Sequence, residues 1–204
     1  MLKIIILDYA MGNLRSVQKK VNSLGYEAII SSDLNIIKNA DKLILPGVGH
    51  FRKGMENLIK TGIYDLLNEI VLNKKKPILG ICLGMQLMTN HSEEGNCEGF
   101  GWINGETVKF KLDPIQFKVP HMGWNSIQIK KKSSIFEGLS ENEMFYFVHS
   151  YYVKCKEKND VLSNTEYGIE FTSAVWKENI YGVQFHPEKS HDWGSKLLRN
   201  FCEL

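Results

Sequence analysis

The first half of the chain alternates short apolar runs with stretches in which apolar residues recur every three or four positions. "LKIIIL" at 2–7 is continuously apolar, the pattern of a strand covered on both faces. Leu14, Val17, Val21 and Leu24 then recur at helical spacing, and Gly25 stands where that helix would end. "EAIISS" and "KLILPG" predict two more strands, with a short helical turn started by Asp33 between them. Phe51, Met55, Leu58 and Ile59 mark the apolar face of another helix, "YDLLNEIVL" a second, and "PILGI" a further strand. Strands separated by helices in this order predict a largely parallel sheet, with functional loops at the carboxyl ends of its strands.

The second half has a different texture. "ETVKFK", "NSIQIK", "EMFYFVHSYYVKC", "FTSAVWKE" and "IYGVQF" are β-rich and separated by Gly, Asn, Asp and Lys turns, so some of them should pair antiparallel beside the main sheet. In the last stretch, "HDWGSKLLRNFCEL", Trp193, Leu197 and Phe201 fall on one face of a closing helix. With no internal repeat, low-complexity segment or linker, one domain over 1–204 is expected.

Composition narrows the class. At 204 residues, 43% hydrophobic and 24% charged, the chain is long enough for a sizeable core, and a formal charge of +2 gives no argument for nucleic acid. The lysine runs at 74–76 and 130–132 are short and far apart, as solvated loop ends are. No apolar run approaches the ~18 residues of a membrane span, and the N-terminus lacks the small-residue cleavage site of a signal peptide. The four cysteines form no C-x-x-C pair and the six histidines show no metal spacing, so a reduced cytoplasmic protein without a metal or cofactor is expected.

Three short motifs carry chemistry. Gly80-Ile81-Cys82-Leu83-Gly84 has the pattern of a nucleophile elbow with Cys in place of Ser. A nucleophile on a sharp strand-to-helix turn needs small neighbours, and the helix amino end favours thiolate over thiol. A thiolate needs a base, and a base needs an orienting partner. "YGVQFHPEKS" offers His186 just past an apolar strand, with Pro187 stiffening the link to Glu188. "LILPGVGHF" ends a strand in glycines that free backbone amides to face a developing oxyanion; the candidates are the amide of Leu83 and one from the 47–49 loop. Taken singly, a core cysteine, a surface histidine and an ordinary turn account for these motifs equally well.

Together, and in this order, the motifs resemble the class I (triad) glutamine amidotransferases. Within that family "LDYAMGNLRSV", "LILPGVGHF", "GICLGMQLM", "VPHMGWNSI", "YFVHSYY" and "GVQFHPEKS" are similar to the glutaminase subunits of imidazole glycerol phosphate synthases. Glutaminases of anthranilate and GMP synthases usually read Gly-His-Gln where this chain has Gly84-Met85-Gln86. The resemblance covers nearly the whole chain and implies a flavodoxin-like three-layer α/β fold, its mostly parallel sheet flanked by helices with an additional antiparallel β portion. It implies that Cys82 attacks the side-chain amide of L-glutamine, with His186 and Glu188 completing a triad. Gln86 and Glu94 would hold the α-amino and α-carboxylate end, while Gly47, Gly49, His149, Ser150 and Tyr151 would complete the pocket.

The resemblance also implies a partner, a (β/α)8-barrel cyclase forming a heterodimer and receiving the ammonia to make imidazole glycerol phosphate and a carboxamide ribonucleotide. Asn13, His121, Met122, Trp124, Asn125, Tyr146 and Lys189 are the expected partner-facing set. A flip of the Val48 peptide is the expected switch between weak and stimulated turnover. Trp102 is larger than the aliphatic the family more often has there, and "HDWG" after Ser190 is also unusual. Neither touches a triad position. Both leave room for a paralogue that feeds ammonia to a surface-sugar amidotransferase, and an inactive glutaminase-like binding module is the remaining alternative.

Overall fold

The computed structural model describes residues 2–140 and 143–204. In chain order it comprises β1 (Ile4–Leu7), α1 (Leu14–Ser23), β2 (Ala28–Ser31), α2 (Leu34–Lys38), β3 (Lys42–Leu45), α3 (Phe51–Lys60), α4 (Ile63–Leu67) and β4 (Ile78–Ile81). There follow α5 (Leu83–Leu87), β5 (Thr89–Ser92), β6 (Cys97–Glu98), β7 (Ile103–Lys109), β8 (His121–Ser126), β9 (Gln128–Ile129) and β10 (Met144–His149). The chain closes with β11 (Tyr151–Cys155), β12 (Val161–Glu166), β13 (Glu170–Lys177), β14 (Ile180–Val183) and α6 (His191–Glu203). Among the described residues, no helix is long and apolar enough to cross a membrane.

Twelve strands form one sheet whose main path runs β2-β1-β3-β4-β14-β13-β11-β7-β5-β6. From β2 to β14 every neighbouring pair is parallel. The order 2-1-3-4, completed by β14, is that of flavodoxin-like sheets, which place ligands beyond the carboxyl ends of their strands. Beyond β14 the sheet is mainly antiparallel, although β5 and β7 run parallel.

The side-chain period of two along a strand makes the three layers. On β1, Ile5 and Leu7 point into one core with Met55, Leu58, Ile63 and Leu67 of α3 and α4. Ile4 and Ile6 point into the opposite core with Val17 and Val21 of α1 and Leu197, Leu198 and Phe201 of α6. Buried Lys42, at the start of β3, ties that strand to the end of α6: its Nζ donates to the carbonyls of Phe201, Cys202 and Leu204 at 3.1, 2.7 and 2.8 Å.

Several elements depart from expectation. Ile59 is 59% exposed, because Phe51, Gly54, Met55 and Leu58 already fill the buried face of α3. Trp193 is 38% exposed; the buried face of α6 is Gly194, Leu197, Leu198, Phe201 and Cys202. "YDLLNEIVL" is helical but passes at Asn68 into a π-helical segment, Asn68–Asn73. Trp102 braces that change of pitch: its indole N–H donates to Asn68 Oδ1 at 2.8 Å, and its ring stacks on Phe100, which stacks on Tyr64. "NSIQIK" is divided between the end of β8 and β9. "EMFYFVHSYYVKC" is not one strand. It breaks at Ser150, with β10 pairing β8 in a separate two-stranded ribbon and β11 entering the main sheet.

Candidate active site

Cys82 follows β4 directly and begins α5 with φ 54° and ψ −108°, a conformation that a residue with a side chain adopts only when its surroundings impose it. The flanking glycines are what make this possible. A Cβ on Gly84 would lie 1.7 Å from the Leu45 carbonyl oxygen of β3, and one on Gly80 would lie 2.7 Å from the backbone of Gly84 and Met85. The helix that follows has only five residues, too short for its macrodipole to supply the stabilisation expected of it.

His186 and Glu188 arrive from the far end of the chain. The His186 N–H donates to the Tyr146 carbonyl of β10 at 2.8 Å, and the Ser190 hydroxyl donates to the His186 carbonyl at 2.7 Å, so the backbone at the histidine is clamped from both sides. Its Nδ1 lies 2.8 Å from Glu188 Oε1, with both side chains buried. Its Nε2 is buried without a hydrogen-bond partner, and Cys82 is the neighbour whose charge acts on the ring. Burial opposes the imidazolium, but the charge and hydrogen bonding of Cys82 and Glu188 outweigh it and push the His186 pKa up to about 10. Such an arrangement holds a proton between sulfur and carboxylate, as transfer to a leaving amine requires.

In front of the sulfur lies a cavity of about 430 Å³ lined by Val48, Gly49, Leu83, Gln86, Glu94, Pro120, Val148, His149, Ser150 and Tyr151 as well as Cys82. A larger groove of about 1150 Å³ runs along α1 and β2 past Arg15, Lys19 and Glu27, but neither a cysteine nor a histidine lines it. The smaller cavity is the candidate active site, because Cys82 lines it. Most of the residues expected at the pocket meet there. Gly47 does not line it; its missing side chain admits the Tyr9 hydroxyl and Leu83 instead. Glu94 also accepts the Phe51 N–H at 2.7 Å, capping α3 beside the cavity.

The His149 wall is a directed hydrogen-bond chain. His149 Nδ1 must donate to the Tyr151 carbonyl at 2.7 Å, leaving Nε2 to accept from His121 Nδ1 at 3.1 Å. His121 Nε2 in turn accepts from Asn125 Nδ2 at 3.4 Å. Burial lowers both imidazoles, His121 to about 4 and His149 to about 3, so both are neutral near pH 7.

That chain corrects the expected partner-facing set. His121 is 3% exposed and Asn125 turns inward to the Glu166 carbonyl, because alternation along β8 sends both to the ribbon's inner side. Asn13 instead donates to Glu188 Oε1, beside the imidazole. The outer side of the ribbon does gather Met122, 62% exposed, and Trp124, 43% exposed and paired in register with Tyr146. Exposed Lys189 places its Nζ 5.5 Å over the Tyr146 ring. Met144 and Trp193 extend this apolar face, and His191 stacks on Trp124 with ring centroids 4.8 Å apart.

Two residues at the site were not anticipated. Tyr9, fully inside the protein, donates its hydroxyl to the Pro46 carbonyl at 2.7 Å; burial, then the charge of Cys82, raises its pKa. Gln184 donates to the Cys82 sulfur from 3.6 Å. A glutamine inside the apolar run "YGVQF", two residues from His186 and so on the same side of an extended segment, was the available signal.

Comparison with known proteins agrees with this geometry. The chain matches the family described as Glutamine amidotransferase class-I over residues 5–204. It is 56% identical over 200 residues, covering 98% of each chain, to imidazole glycerol phosphate synthase subunit HisH 2 of Methanococcus maripaludis. It is 46% identical over 201 residues, covering 98% of this chain and 99% of the relative, to subunit HisH 2 of Pseudomonas aeruginosa. A crystal structure of a glutamine amidotransferase superposes with a TM-score of 0.76 at 18% identity, covering 98% and 97% of the two chains, which shows the shared fold alone. The chain therefore belongs to the class I glutamine amidotransferase family.

Proposed function

We propose that this chain is the glutaminase subunit of an imidazole glycerol phosphate synthase, acting in the cytoplasm as a single catalytic domain. The observation that carries the reading is a buried His186–Glu188 pair acting on Cys82, which lines a cavity with room for an amino acid. Cys82 Sγ attacks the side-chain carbonyl carbon of glutamine. The C–N bond breaks, His186 Nε2 supplies the proton that lets ammonia leave, and a γ-glutamyl thioester remains. Water, deprotonated by the same nitrogen, then cleaves the C–S bond to release glutamate. Glu188, accepting from His186 Nδ1 and Asn13, fixes the tautomer that both steps need.

The Leu83 amide, next to the nucleophile, and the Val48 amide are the oxyanion donors of this reading. The Pro46–Gly49 loop is held by Tyr9 at one end and reaches positive φ at Gly49, 123°, at the other. Gln86 and Glu94 receive the amino-acid head, with His149, Ser150 and Tyr151 forming the opposite wall. Met122, Trp124, Tyr146 and Lys189 meet a (β/α)8-barrel cyclase that takes the ammonia.

Both relatives carry a copy number in their names, as duplicated genes do, and the second reading is the same glutaminase chemistry serving surface-sugar amidation. Glutaminase activity of the purified chain, assayed as ammonium release with and without a ligand-loaded cyclase subunit, tests the reading. Turnover should require the cyclase for full rate and vanish in Cys82→Ser. Equal turnover in Cys82→Ser, or none in the loaded complex, refutes it. Rescue of growth without histidine separates the two pathways.

A further inference from the structure

Gln184 is 0% exposed, just past the end of β14, and its Nε2 lies 3.6 Å from the Cys82 sulfur. A carboxamide can face a neighbour with either its nitrogen or its oxygen, and here the choice is forced. The Tyr151 carbonyl can only accept, so the Gln86 atom 2.9 Å from it is the amide nitrogen. The second hydrogen of that nitrogen goes to Gln184, whose oxygen accepts it at 3.0 Å. The nitrogen of Gln184 is left aimed at the sulfur.

We propose that Gln184 is a further catalytic residue, its carboxamide N–H donating to the Cys82 sulfur and stabilising the thiolate, with Gln86 and the Tyr151 carbonyl fixing the direction of that bond. The inference deepens the reading of Cys82 as nucleophile and rests on it. A donor to the charged form favours that form, and no solvent reaches this side of the sulfur to substitute for it. A buried glutamine is costly where an apolar residue would pack, unless each polar atom has a partner. Satisfying Gln86 needs only the oxygen of Gln184; the nitrogen has the sulfur. The other polar groups around Cys82 are His186 with Glu188 behind it, the Val148 carbonyl at 4.0 Å, Tyr9, and His149 and Glu94 on the cavity wall.

The test is the rate of Cys82 alkylation by iodoacetamide from pH 5 to 10, located by mass spectrometry, in the wild-type chain, Gln184→Glu and Gln184→Leu. The Glu variant keeps the acceptor for Gln86 and turns an oxygen toward the sulfur; the Leu variant removes both interactions. Gln184→Leu should raise the alkylation midpoint by about half to one pH unit, and Gln184→Glu should raise it further. An unchanged midpoint in Gln184→Glu overturns the inference, whatever becomes of the Leu variant. Because alkylation needs no glutamine, a chain that shows the shift but fails to hydrolyse glutamine keeps this inference and loses the proposed function.

Discussion

Gly84 carries more of the site than its size suggests. Its α-carbon lies against the Leu45 carbonyl of β3 because no side chain separates them, and that contact seats α5 and so sets where the sulfur emerges. Gly84→Ala would force a methyl group to within 1.7 Å of that oxygen unless the strand or the helix moves. The expected result is a loss of about 1–3 kcal/mol in urea unfolding, accompanied by loss of glutamine turnover. A variant that unfolds at the wild-type urea concentration and still turns over would show that the elbow tolerates what the packing forbids. Cys82, His186 and Glu188 were legible in the sequence because each stands in a short motif whose spacing is itself chemical. Tyr9 was not, because it reaches the site through folding rather than through a neighbour in the chain; Gln184, two residues from His186, had a signal in its polarity within an apolar run. The packing of Gly47 was hidden from the sequence for the reason given for Tyr9: where a side chain would stand it admits a tyrosine 38 residues earlier in the chain.

At the level of elements, the β8–β10 ribbon stores a pH response. His121 and His149 are held neutral by burial, at about 4 and about 3, whereas in the unfolded chain both would titrate near about 6.5. The unfolded state therefore binds more protons in acid, and the ribbon's contribution to stability is complete above about pH 6.5 and is lost as pH falls toward about 4. The urea midpoint should drop between pH 7 and pH 4.5 in the wild type and drop less in His121→Phe, whose ring can keep the stack on Tyr167 and Phe147. Equal falls in both would count against the neutral pair. The strands and helices of the first half were legible because periods of two and 3.6 are distinct there. The break at Ser150 was not: "MFYFVHSYYVK" is one unbroken β-like run without Gly or Pro, and only pairing partners distant in sequence divide it. Polar strands such as β5, "TNHS", and β12, "VLSNTE", offer no apolar alternation to read.

For the molecule as a whole, the outer side of the ribbon is an apolar face near the cavity that Cys82 lines. Met122→Glu and Trp124→Glu should leave any glutamine turnover of the isolated chain within about twofold and weaken binding of the proposed cyclase, measured by calorimetry, by about 10- to 100-fold. Undiminished binding would move the docking face elsewhere. Ser150 gives this arrangement a mechanical meaning. It is the single residue between β10, which belongs to the ribbon, and β11, which belongs to the main sheet, and its neighbours His149 and Tyr151 are walls of the cavity. There is no slack in so short a tether. Ribbon and main sheet thus meet at the cavity across that one residue, with a wall on either side of the joint.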